Sequence, residues 1–171
     1  PCLTVNRLCG SGLQAIVSAA QHIMLGDADT AVAGGAESMS RAAYFLPAGR
    51  WGQRMGDGAV VDAMTGALHD PFGNGHMGIT AENLVEKYKI AREEQDLFGL
   101  KSQERAFKAI RGGYFKDEII PLVITQKKSQ IVFDTDEHPR ETTLEKLRAL
   151  GPAFKKDGTI TAGTSSGRND G

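Results

Sequence analysis

Leu13, Ile16, Val17, Ala20, Ile23 and Met24 recur at the i, i+3, i+4, i+7 spacing of a helix, predicting an amphipathic helix over 12–25 closed by Gly26. Ahead of it, Leu3-Thr4-Val5-Asn6 reads as a short strand. Behind it, Thr30-Ala31-Val32-Ala33 reads as a second strand ending at Gly34-Gly35. Strand, helix and strand in so short a stretch form a βαβ unit, so the class is α/β with a parallel sheet. Val60, Val61 and Met64 then predict a short helix with Leu68 at its end. Thr80 is placed as the N-cap of a helix that carries Leu84, Val85 and Tyr88 on one face. A long helix over 92–111 opens on Glu93 and Glu94 and stops at Gly112-Gly113. Two strands follow at 119–124 and 131–133, the first demoted to an edge by Pro121. Thr142-Thr143-Leu144-Glu145 fits a capping box that starts a helix running to Leu150. Residues 159–162 form a last strand candidate, leading into the small-residue loop 163–171. Between these, 46–58 has no clean period and reads as an ordered loop or contact segment.

Composition narrows the class. The chain has 171 residues, enough for one domain with a real core. Twenty basic side chains face twenty-one acidic ones, which argues against nucleic acid as a partner. No apolar run approaches the roughly 20 residues of a membrane span. Cys2 and Cys9 are too few for a disulfide framework and lack partners at metal-site spacing, so no metal is expected. Glycine stands out, with 21 residues placed in loops rather than in a repeat. All ten lysines lie beyond residue 86, which predicts that the first part is mostly interior or interface. The pairs Lys127-Lys128 and Lys155-Lys156 are read as solvated surface charge. The chain opens at Pro1 and closes in a glycine loop, so an internal piece of a longer protein is expected.

The candidate chemistry centres on Cys9, which falls where the first strand candidate turns into the first helix. A lone cysteine is by default a small buried hydrophobe. A helix start changes that balance: orphan N–H groups and the dipole favour thiolate, moving a thiol from about 8.5 toward about 3.5–7.5. The same N–H groups suit an oxyanion formed when sulfur attacks a carbonyl. Gly10 and Gly12 are expected to allow the tight turn of a nucleophile elbow and to leave room for substrate. Gly10-Ser11-Gly12 lacks the Lys-Ser/Thr of a phosphate-binding P-loop. Glycines on both sides of His76-Met77 likewise predict close approach by a ligand.

Val5-Asn6-Arg7-Leu8-Cys9-Gly10-Ser11-Gly12-Leu13-Gln14-Ala15 resembles the nucleophile motif of the thiolase family. Ala33-Gly34-Gly35-Ala36-Glu37-Ser38-Met39-Ser40 resembles the strand and loop that follow it there. Stretches 75–83 (Gly-His-Met-Gly-Ile-Thr-Ala-Glu-Asn) and 161–171 (Thr-Ala-Gly-Thr-Ser-Ser-Gly-Arg-Asn-Asp-Gly) are similar to two further family motifs. The four stand in family order, and the whole looks most like bacterial β-ketothiolases and acetyl-CoA acetyltransferases. Departures are Thr164-Ser165 in place of Asn-Ala, Arg168 in place of an apolar residue, and a spacing from Arg140 to the next helix one residue short.

The resemblance implies a thiolase-like fold, whose full form stacks α-β-α-β-α layers. Residues 1–41 would belong to the N-terminal domain, 42–158 to a loop domain with a tetramerisation segment and coenzyme A cover, and 159–171 to the returning pantetheine-binding loop. It implies acyl transfer between coenzyme A thioesters through an acyl-cysteine on Cys9. Leu68, His76, Met77, Arg140 and Ser166 would contact coenzyme A, Arg140 at its nucleotide end and Ser166 at the pantetheine. No resident cofactor is implied, since the coenzyme A thioester is the substrate. A cytoplasmic homodimer or homotetramer is implied, and no membrane or nucleic-acid partner. The family's activating His, second Cys and Asn have no matching motif here, so the segment alone is expected to be inactive. Two alternatives are a condensing enzyme that accepts acyl-carrier protein and a non-catalytic acyl-CoA-binding module.

Overall fold

The structure, a computed structural model, describes residues 2–127 and 129–171; Lys128, one of the paired lysines, lies outside them. The chain divides into two compact units, residues 1–70 with 168–171 and residues 71–167.

In the first unit, a 3-10 turn (Leu8–Gly10) runs directly into helix α1 (Ser11–Met24). Gly26, at φ +80°, turns the chain away after the helix, as its position predicted. Strands β1 (Tyr44–Phe45) and β2 (Val61–Asp62) pair antiparallel, Tyr44 opposite Asp62. Helix α2 (Ala63–Ala67) and strand β3 (His69–Asp70) follow. Asp62 caps α2: its Oδ1 accepts from Met64 N–H at 2.9 Å and its Oδ2 from the Thr65 hydroxyl at 2.9 Å. The loop at 37–40 is tied to the chain end by mutual Glu37–Gly171 backbone hydrogen bonds and by Asp170, which accepts from Ser40 N–H and hydroxyl.

The second unit carries strand β4 (Gly75–His76) and helices α3 (Met77–Tyr88), α4 (Arg92–Arg111) and α5 (Leu144–Arg148). Between α4 and α5 stands the antiparallel hairpin β5 (Leu122–Gln126) and β6 (Ser129–Phe133). Helix α4 has the bounds its pattern predicted, and Glu94 closes its start by accepting from Ala91 N–H. Arg92 fixes α4 to α5: its Nε donates to both oxygens of fully buried Asp96, and its Nη2 donates to the Leu147 and Leu150 carbonyls. Thr143 is the N-cap of α5, accepting from Lys146 N–H.

Four expectations need correction. No strand forms at 3–6, 30–33 or 159–162 among the described residues, and both strand pairs with a resolved register, β1–β2 and β5–β6, are antiparallel. A strand exists only where a neighbour takes its N–H and C=O groups; the first two stretches have none among the described residues, and Val32 is fully exposed. Helix α3 begins at Met77, with His76 rather than Thr80 as N-cap; Thr80 donates its hydroxyl to Met77 C=O instead. Nor is there one large core among the described residues. Leu147 is the buried hydrophobic residue among those described, beside buried Glu82, Asp96 and Thr161. The lysine-free first part is not interior within this chain, since Leu13, Ile16, Val17, Ile23 and Met24 of α1 are all exposed. No helix among the described residues is long and apolar enough to cross a membrane.

Candidate active site

Cys9 sits exposed in the middle of the 3-10 turn, which leads through Gly10 into α1. The turn is held by a local network. Asn6 Oδ1 accepts from Leu8 N–H at 3.0 Å, and the Ser11 hydroxyl accepts from Arg7 N–H at 2.8 Å while donating to Leu8 C=O at 2.7 Å. Arg7 Nη1 reaches Gln14 Oε1 at 2.6 Å. Gly10 N–H donates to Arg7 C=O and Ser11 N–H to Leu8 C=O. Those two amides are therefore engaged, whereas Cys9 N–H meets no acceptor among the described residues.

The tight turn is made differently from the sequence reading. Gly10 has an ordinary φ of −86°, and it is Leu8, just ahead of the sulfur, that takes the left-handed φ of +50°. A bulky residue in that region stores strain, which clusters at functional sites. A Cβ at Gly12 would meet nothing within 4 Å, so the surface beside Cys9 is open.

Leu68 lies at the C-cap of α2 in the same unit, half-buried. The remaining predicted residues fall in the second unit. His76 and Met77 adjoin at the start of α3, where His76 Nδ1 accepts from Gly78 N–H at 3.0 Å. In a neutral ring this leaves Nε2–H as donor. The ring stacks on Phe154, centroids 5.0 Å apart and planes at 21°. Gly78 makes this possible, since a Cβ there would stand 2.1 Å from Phe154 Cγ. Phe154 was missed by the sequence reading; its signal was the glycine after His76-Met77, which pays no side chain into a space an aromatic fills.

Ser166 is exposed in the loop after Thr161. That loop is ordered by fully buried Thr161, whose C=O accepts from the Ser165 hydroxyl at 2.7 Å and whose hydroxyl accepts from Gly163 N–H at 3.2 Å. Arg140, exposed just ahead of α5, is fixed through its N–H to Gln103 Oε1 of α4 at 2.9 Å. It borders an open cavity of about 820 Å³ that also holds Lys108, Arg111 and Lys146, apolar Leu100 and Phe107, and acidic Glu104 and Glu141. Arg168 is exposed rather than buried, and it helps the Thr65 hydroxyl and α2 amides hold the Asp62 carboxyl below its usual range. No cluster of His, Cys, Asp and Glu suited to a metal occurs among the described residues.

The model of the thiolase N-terminal domain matches residues 1–171, so the chain belongs to the thiolase family. The beta-ketothiolase BktB of Cupriavidus necator is 60% identical over 99% of this chain and 44% of its own length. The acetyl-CoA acetyltransferase of Syntrophomonas wolfei is 56% identical over 98% of the chain and 43% of its own. The crystal structure of human mitochondrial 3-ketoacyl-CoA thiolase in complex with CoA superposes with TM-score 0.91 at 46% identity, over 99% of this chain and 42% of that one. The fold is thus thiolase-like, and the chain spans less than half the length of the curated relatives it matches.

Proposed function

We propose that the protein carrying this sequence is an acyl-CoA C-acyltransferase that forms or cleaves β-ketoacyl-CoA through an acyl-cysteine on Cys9. The observation that carries the reading is the exposed Cys9 in a strained turn at the mouth of α1. As thiolate, Sγ attacks a thioester carbonyl; the new C–S bond forms, the bond to coenzyme A breaks, and coenzyme A leaves as thiolate. The unengaged Cys9 N–H is suited to the developing oxyanion. In synthesis the enolate of a second acetyl-CoA attacks the acyl-cysteine and releases the Cys9 thiolate. In breakdown coenzyme A thiolate does so.

His76 and Met77 serve the pantetheine and acyl end with Leu68, and Ser166 donates to pantetheine. Arg140 takes the nucleotide end, a role supported by its cavity's four basic side chains against two acidic ones. Residues 42–158 serve as the cover over coenzyme A, and the working protein is a cytoplasmic homodimer or homotetramer of fatty-acid metabolism, with no resident cofactor. The activating His, the second Cys and the Asn come from the part that this chain does not span.

The test is acetyl transfer by the whole protein, wild type and C9S, from acetyl-CoA and from acetyl-carrier protein. Thiol release from acetyl-CoA alone, abolished in C9S, is expected. Preference for the carrier protein makes it the other kind of condensing enzyme, and binding of coenzyme A without transfer makes it a binding module.

A further inference from the structure

Glu82 is a carboxylate only 5% exposed, on α3 six residues after His76. Its partners are not cations. Oε1 accepts from the backbone N–H groups of Thr159 and Ile160, both at 2.8 Å, and Oε2 from the Thr159 hydroxyl at 3.3 Å. Charge-assisted bonds to backbone N–H groups are among the stronger polar contacts, and an amide left without its acceptor in a buried place is costly. The contact is also built around a glycine. A Cβ at Gly158 would lie 2.3 Å from Glu82 Oε1 and 3.0 Å from the Lys155 carbonyl, so only a bare α-carbon lets the carboxylate reach the two amides.

The two ends of this clamp matter. One is the helix whose first turn holds His76 and Met77, with Phe154 stacked on the imidazole. The other is the segment 159–160, which leads through fully buried Thr161 into the loop of Ser166. The 159–160 backbone is tied again on its far side, where Ile160 C=O accepts from Ala153 N–H at 2.8 Å, next to Phe154. The same segment is reached from α4, as Gln95 Nε2 donates to the Thr159 hydroxyl at 3.0 Å. Glu82 thus joins the two chain segments that carry the proposed pantetheine contacts, His76-Met77 and Ser166.

We propose that Glu82 is a positioning residue for coenzyme A binding, setting the α3 start and the Ser166 loop at the separation the pantetheine arm requires. This rests on the acyltransferase reading above. The whole protein, as wild type, E82L, E82Q and G158A, is assayed for thiol release from acetyl-CoA and from S-acetyl-N-acetylcysteamine, which keeps the thioester and lacks most of the pantetheine arm and the nucleotide. E82L and G158A are expected to raise KM for acetyl-CoA about tenfold with kcat within about twofold. Both should impair turnover of the short thioester less than that of acetyl-CoA. E82Q keeps a carbonyl oxygen for the two amides and should stay within about threefold of wild type. Should E82L fail to fold, G158A carries the comparison. Equal loss on both thioesters, or an unmoved KM for acetyl-CoA in G158A, overturns the proposal. Absence of wild-type thiol release from acetyl-CoA overturns the acyltransferase reading itself, a separate result.

Discussion

Asp170 reaches back over 130 residues of sequence to take Ser40 N–H at 2.8 Å and its hydroxyl at 2.5 Å. The Ser40 hydroxyl, then the Ser40 amide, hold the Asp170 carboxyl below its usual value of 3.8. A carboxyl lowered on folding contributes stability that is present above its unfolded pKa and lost as pH falls through the lower folded value. Asp62, lowered first by the Thr65 hydroxyl, follows the same sign at the start of α2. Protection of the Ser40 amide against exchange, relative to its intrinsic rate at each pH, should therefore hold from neutrality to about pH 4 and fall below it. In D170N, which keeps an acceptor without a charge, that acid step should disappear. An acid step unchanged in D170N would contradict the assignment. At this scale the sequence was readable where a residue acts locally: Cys9 was placed at the helix mouth from its glycine-rich setting. Leu8 was not foreseen as the strained position, because nothing in a leucine codes for positive φ.

The helices were legible in proportion to how much of their signal is local. Helix α4 was read to its bounds, since Glu93, Glu94 and the Gly112-Gly113 stop all lie within or beside it. Helix α3 was read on the wrong face. Leu84 and Tyr88 suggested an apolar stripe, yet they are 51% and 63% exposed, and the buried positions are Gly78 and Glu82. What covers that face, Phe154 and the 159–160 backbone, lies more than seventy residues on and leaves no periodic trace. Gly78→Ala tests the packing: its methyl would overlap the Phe154 ring, at a cost of about 1–3 kcal/mol. A lowered melting temperature and weakened coenzyme A binding are expected; a variant as stable as wild type would contradict the contact. The strand candidates 3–6 and 30–33 failed for the complementary reason, because pairing is a property of neighbours and not of the stretch.

At the scale of the molecule, the chain exposes 14124 Å². Much of that surface is apolar, including Leu13, Ile16 and Met24 on α1 and both faces of the β5–β6 hairpin. The isolated 171-residue chain should bind a hydrophobic dye strongly, unfold without a sharp transition and fail to turn over acetyl-CoA; cooperative unfolding with turnover would contradict this. Ordered motifs made the family legible where the fold was only partly so, since a motif survives removal from its neighbours and a core does not. The most direct measurement of the account's centre is peptide mass analysis of the whole protein after brief exposure to acetyl-CoA and acid quench. One acetyl group on the peptide that contains Cys9, absent in C9S and removed by added coenzyme A, is the predicted result. A Cys9 peptide that stays unmodified while acetyl transfer proceeds would contradict it.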